Sequence, residues 1–175
     1  MSQAEIGGRA VKYIRLIALV SFVFAIAAAP VAAQNKTPTN DWLLDAPDDL
    51  TRFQLLQRYL RGFDQPMWEV GHRYLGLYDA LERENYDLAL YHWDKIRTTI
   101  RNGYLKRPAR RANSDAVFLD QVWVDARKAF ESRKSKQAWE GFARARAGCI
   151  ACHEAEDVGW MNDQDIFENT RPPGQ

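Results

Sequence analysis

The stretch AWEGFARARAGCIACH, from Ala138 to His153, holds both cysteines of the 175-residue chain and one of its three histidines. Ala138, Phe142, Ala145, Cys149 and Cys152 recur at three- and four-residue intervals, the spacing of one face of an α-helix. Residues three and four apart lie one above the other on a helix, so the two thiols and the His153 imidazole project from the same side. Cys149-Ile150-Ala151-Cys152-His153 is C-x-x-C-H. In that pattern two thiols add to the vinyl groups of a haem and the imidazole ligates its iron.

The same five residues have other readings. A structural zinc site draws four ligands from two separated pairs, so His72 or His92 would have to complete the set. A thioredoxin-like redox pair sits among alternating strands and helices, which the surrounding sequence lacks. A disulfide between Cys149 and Cys152 would close a very short, strained loop.

Working outward from this helix, the chain reads as helix after helix. Leu50, Phe53, Leu56 and Leu60, widened by Tyr59, form a short leading stripe behind Asp45 as N-cap and Pro47 in the first turn, and Gly62 ends it. Asp64 is the expected cap of the next helix, with Met67, Val70, Gly71, Tyr74, Tyr78 and Leu81 on one face. A third helix from about Asp87 turns Leu88, Ala89, Trp93, Ile96 and Ile100 inward and stops near Gly103. The basic connection Lys106-Arg107-Pro108-Ala109-Arg110-Arg111 follows. Asn113 or Ser114 then opens a fourth helix carrying Phe118, Leu119, Val122, Trp123, Ala126 and Phe130. No stretch beyond residue 33 alternates with period two for long enough to be a strand. The expected fold is all-α: a four-helix up-down-up-down bundle with a short leading helix.

Residues 1–33 read as a secretory signal peptide: Arg9, Lys12 and Arg15 precede an apolar run, Leu16 to Ala29, and Val31-Ala32-Ala33 offers small residues before Gln34. Retained, the same run would anchor the chain in a membrane, facing the periplasm. Residues 34–47 are a polar linker, 48–160 the bundle and 161–175 a C-terminal tail. The formal net charge is +1, and cleavage would remove three bases and one acid, so no nucleic-acid partner is expected. No carboxylate pair or nucleophile with a histidine partner suggests an enzyme.

A C-terminal C-x-x-C-H on the last helix of a four-helix bundle, behind a signal peptide, resembles the class II cytochromes c, the cytochrome c-prime family. The resemblance covers about residues 64–156. In class I cytochromes the motif lies near the N-terminus with a methionine ligand well downstream, whereas only 22 residues follow His153. The resemblance implies one covalently attached haem c, Cys149 and Cys152 as its thioether attachment points, and His153 as the proximal iron ligand. It also implies an exported electron carrier. Some members ligate the distal side of the iron with a methionine of the first main helix; others leave it open.

Up-down topology puts the start of the Met67 helix, the Lys106–Arg111 connection and the Cys149–His153 end together. Met67 is therefore the leading distal ligand. His72, about 140° around the helix by its five-residue offset, is a weaker one, and His92 reads as an interhelical or surface histidine. A Met/His pair would suit electron transfer, whereas an open site would bind NO or CO. Lys106, Arg107, Arg110 and Arg111 are candidates for neutralising haem propionates or docking a redox partner. A homodimer is also compatible with the apolar stripes. Trp160, Met161 and Phe167 could bring the tail over the haem edge.

Overall fold

The structure is a computed structural model that describes residues 37–173. The expected signal peptide, 1–33, lies outside the described residues, as does the start of the linker. The chain divides into two units, Met1–Pro47 and Asp48–Gln175. In the described part of the first, Asp45 does not cap a helix. Its carboxylate accepts hydrogen bonds from the Thr39 N–H (2.8 Å) and hydroxyl (2.9 Å), closing a small loop.

Asp48–Gln175 is all-helical among its described residues. Its elements are α1 (Asp49–Leu60), α2 (Asp64–Glu82), α3 (Tyr86–Lys106), α4 (Val122–Glu131), α5 (Ser135–Ala155) and a last turn, α6 (Asp165–Glu168). The caps follow side-chain chemistry. Asp48 accepts from the Thr51 N–H at 2.7 Å to open α1, and Asn85 accepts from the Leu88 N–H at 3.1 Å to open α3. Asp64 is the first residue of α2 rather than its cap, and its carboxylate accepts from the Gly62 N–H instead.

Side-chain contacts identify the packed pairs of helices. Gly76 meets His92 and Gly103 meets Phe63, so α2 and α3 are antiparallel. Between α3 and α4, Trp93 meets Trp123, and Asp94 pairs with Arg127. Between α4 and α5, Ala129 meets Gly141 and Val122 meets Gly148. Tyr74 stacks on Phe142 and Tyr78 meets Trp139 edge-on, which brings α2 and α5 together. Trp93, Phe130, Phe142, Leu77, Leu81 and Ile96 are fully buried where these faces converge.

Three further expectations change. Gly103 does not stop α3, which continues to Lys106. A Cβ there would stand 2.5 Å from the Phe63 ring, so its role is to let that ring lie on the helix. The fourth helix is not continuous: a π-helical segment, Ser114–Leu119, closed by Asp120 N–H to Asp115 O (2.9 Å), precedes α4. The stripe of α1 is exposed, with Leu50 at 69%, Phe53 at 66% and Leu60 at 48%, and α1 buries none of its residues. Among the described residues no helix is long and apolar enough to cross a membrane.

Candidate functional site

Close helix packing delivers the motif. A Cβ added at Gly141 would stand 2.6 Å from the Ala129 Cβ, and one at Gly148 2.7 Å from Val122 Cγ1. These two glycines and the buried Ala145 let α5 lie tightly on α4 and turn Cys149 and Cys152 toward the core, where both are half-buried. Burial pushes the Cys149 thiol up to about 12, with Cys152 adding to it. Burial raises Cys152 as well; a hydrogen bond with Ser114 and the charge of Arg110 oppose the shift, while Glu156 adds to it. Both shifts favour the neutral thiol at neutral pH. Among the described residues no three His, Cys, Asp or Glu side chains converge as a metal-binding group.

The end of α5 is shaped by a left-handed residue. Asp157 has φ 57°, the Asp157 N–H bonds Glu154 O at 3.1 Å, and the Val158 N–H bonds His153 O at 3.0 Å. This reversal ordinarily favours glycine, with aspartate among the better substitutes. It sends the chain back as a 3₁₀ turn, Gly159–Asn162, beside His153. There Asn162 Oδ1 lies 2.8 Å from His153 Nδ1. The tail then continues along α2 and α5. Phe167 is buried, 6.0 Å from the His153 ring and 6.0 Å from the Tyr74 ring, and the Tyr78 hydroxyl donates to Arg171 O at 3.2 Å. Trp160 is 73% exposed and takes no part in this cover.

Hydrogen bonds bring the other candidates to the same end. The Lys106 ammonium donates to Leu60 O (2.6 Å) and to Gln65 Oε1, joining the end of α3 to the start of α2. Arg110 donates to Glu156 O at 3.0 Å and pairs with its carboxylate, and the Asn113 amide donates to Ala155 O at 2.8 Å. These two side chains satisfy carbonyls at the end of α5 that the helix leaves free. Arg111 pairs with Asp115 at 3.1 Å, and Arg107 donates to Lys106 O at 2.7 Å. Met67, in the first turn of α2, is half-buried against the same core as the two cysteines. His72 is exposed on the flank of α2, where its charge acts on His92. His92 is interhelical and packs on Gly76.

The donor set fits a covalently attached haem. Two protonated thiols three residues apart share a half-buried face with an imidazole one nitrogen of which is already engaged. Beside Cys149, the buried Tyr74 hydroxyl has no partner in hydrogen-bonding geometry; the adjacent Thr170 hydroxyl donates to Ile166 O at 2.5 Å. Glu156 Oε1 is buried and unpartnered as well. The chain thus leaves two polar atoms unsatisfied near its motif, where a group with hydrogen-bonding atoms of its own could meet them. Two surface grooves elsewhere, of about 400 and 430 Å³, include no motif residue in their lining.

Sequence reading missed Asn162, Ser114 and Tyr104 as neighbours of the motif. Tyr104 donates to Asp115 Oδ1 at 2.8 Å, and burial, that hydrogen bond and nearby Cys152 all raise its phenol. Compared with known protein families, curated proteins and solved structures, the chain matches none.

Proposed function

We propose that the chain is an exported c-type cytochrome of the class II kind, with one haem c, that carries single electrons between redox partners. The observation that supports this most is the shared face of Cys149 and Cys152 beside an imidazole held at Nδ1 by Asn162. Cys149 and Cys152 would hold the haem through two thioether bonds, each formed by addition of a thiol S–H across a vinyl group. His153 Nε2 is the nitrogen left to ligate iron. When bound, the haem supplies a one-electron ferric/ferrous couple.

The remaining residues hold and shield. Met67 is the proposed distal ligand, and its half-buried position on α2 fits a thioether that closes the iron to outside ligands. Phe167 and Tyr74 exclude water beside His153 and Cys149. Arg110 and Arg111 already have carboxylate partners in Glu156 and Asp115, so their charge is largely spent within the chain. Lys106 and Arg107 donate to neutral oxygens, which leaves them the better pair for docking an acidic redox partner.

The test is the response of the reduced, haem-loaded protein to CO. An unchanged low-spin spectrum is expected, and Met67→Ala opens the site so that CO shifts it. A native spectrum that already shifts with CO would replace the carrier with a protein that binds small gases.

A further inference from the structure

We infer that Asn162 is the positioning residue that fixes His153 as its Nδ1–H tautomer and so presents Nε2 with a free lone pair. The inference rests on the proposed role of His153 and adds to it the group that orients the ligand.

The hydrogen bonds decide which way the amide points. Asn162 Nδ2 donates to Glu154 Oε1 at 2.8 Å and faces Ile150 O at 3.4 Å. A carboxylate and a carbonyl only accept, so the nitrogen of the amide must face them. A flipped amide would set oxygen against both. Oδ1 therefore faces His153 Nδ1 at 2.8 Å, and since an amide oxygen only accepts, Nδ1 carries the proton. A neutral imidazole with its proton on Nδ1 has its lone pair on Nε2. The second hydrogen bond of a ligating histidine sets its tautomer, its ring orientation and its basicity.

The backbone around Asn162 supports this placement. The left-handed Asp157 and the following 3₁₀ turn return the chain to His153 within nine residues. Gly159 makes room for the anchor: a Cβ there would stand 2.3 Å from Glu154 Oε2 and 2.6 Å from its Cδ. The Glu154 carboxylate occupies that space while it receives the Asn162 amide. The order is thus carboxylate, amide, imidazole, with a neutral acceptor rather than a charged one on the ring.

Two variants separate this role from simple packing. In the haem-loaded chain, Asn162→Asp puts a charged acceptor on Nδ1, makes the ligand more basic and lowers the reduction potential below that of the native protein. Asn162→Leu removes the acceptor and raises it. Opposite shifts are expected, which a loss of packing common to both variants would not give. Gly159→Ala, which displaces the Glu154 carboxylate, shifts the potential in the same direction as Asn162→Leu but less. In the haem-free chain with ¹⁵N-labelled histidine, long-range proton–nitrogen spectra are expected to show His153 protonated on Nδ1, a state that Asn162→Leu loses and Asn162→Asp keeps. Native His153 protonated on Nε2, or potentials that move the same way in Asp and Leu variants, would overturn the inference while leaving haem attachment intact. Failure of the chain to bind haem would overturn the cytochrome reading, and the tautomer spectra would still decide the role of Asn162.

Discussion

Halfway along the bundle the chain completes itself, and at the motif end it does not. Trp93 Nε1 donates to Trp123 O at 3.0 Å while Trp123 Nε1 donates to Trp93 O at 3.1 Å. The two indoles lie parallel, 6.2 Å apart, and Phe118 and Phe130 place their rings at steep angles to Trp93. Each indole donor is matched, and the Arg97 guanidinium covers the Trp123 ring 3.7 Å from its centroid. At the other end the Tyr74 hydroxyl and Glu156 Oε1 are buried without partners, and the regular helix gives way to a π-helical segment. Regular packing belongs to the part of the molecule that only has to be stable. Two of the three unpartnered buried side-chain atoms among the described residues lie at the end where the chemistry is proposed, and the third, His92 Nδ1, lies at the α2–α3 seam; π-helical segments are frequent at functional sites in other folds.

The largest effect that could break this contrast is at Trp93. Trp93→Ala removes a fully buried indole and the hydrogen bond it donates to Trp123 O, while the Trp93 main-chain carbonyl that accepts from the Trp123 indole remains. Urea unfolding is expected to show a loss of about 3–5 kcal/mol. A loss under about 1 kcal/mol, within the scatter of surface changes, would mean the centre is not the finished part. At the motif end, Tyr74→Phe deletes a hydroxyl that has no partner and keeps the ring stacked on Phe142 at 4.9 Å. The haem-free chain is expected to lose nothing and to gain up to about 1 kcal/mol, because an unsatisfied buried donor is a cost. A loss comparable with Trp93→Ala would show that the hydroxyl is satisfied after all.

The smallest effect is at the α2–α3 seam, where His92 Nδ1 is also buried and unpartnered. Burial, then the charges of Arg73 and His72, lower the His92 pKa, and Asp79 opposes them. With its folded pKa below the unfolded value of about 6.5, the unfolded chain takes up the proton first as pH falls. Stability is therefore full above about pH 6.5 and declines as pH falls toward the folded pKa. His92→Gln is expected to flatten that part of the acid limb in urea unfolding at successive pH values. An unchanged slope would place the acid sensitivity elsewhere.

Much of the bundle is legible in the sequence because three- and four-residue spacing reports burial directly. Trp93, Ile96, Phe118, Phe130, Phe142 and Ala145 are expected inward and are buried. The same signal misleads at α1, where Leu50, Phe53 and Leu60 share an apolar stripe that stays exposed. Periodicity shows that a helix has an apolar face, not what covers it. Glycine was ambiguous in another way. Gly103 reads as a stop, but it serves a ring crossing from Phe63, a contact that no local pattern encodes. Of the site, Cys149, Cys152 and His153 are visible because their spacing is itself the signal. Asn162 is not: it reaches His153 only because Asp157 takes a left-handed conformation that sequence alone does not disclose.

The most direct measurement is the absorption spectrum and intact mass of the chain produced with haem-attachment machinery, beside Cys149→Ala/Cys152→Ala. The account predicts one haem that survives denaturation and acid extraction in the native chain, none in the double variant, and helical content retained in both. A colourless native chain of unmodified mass would contradict it.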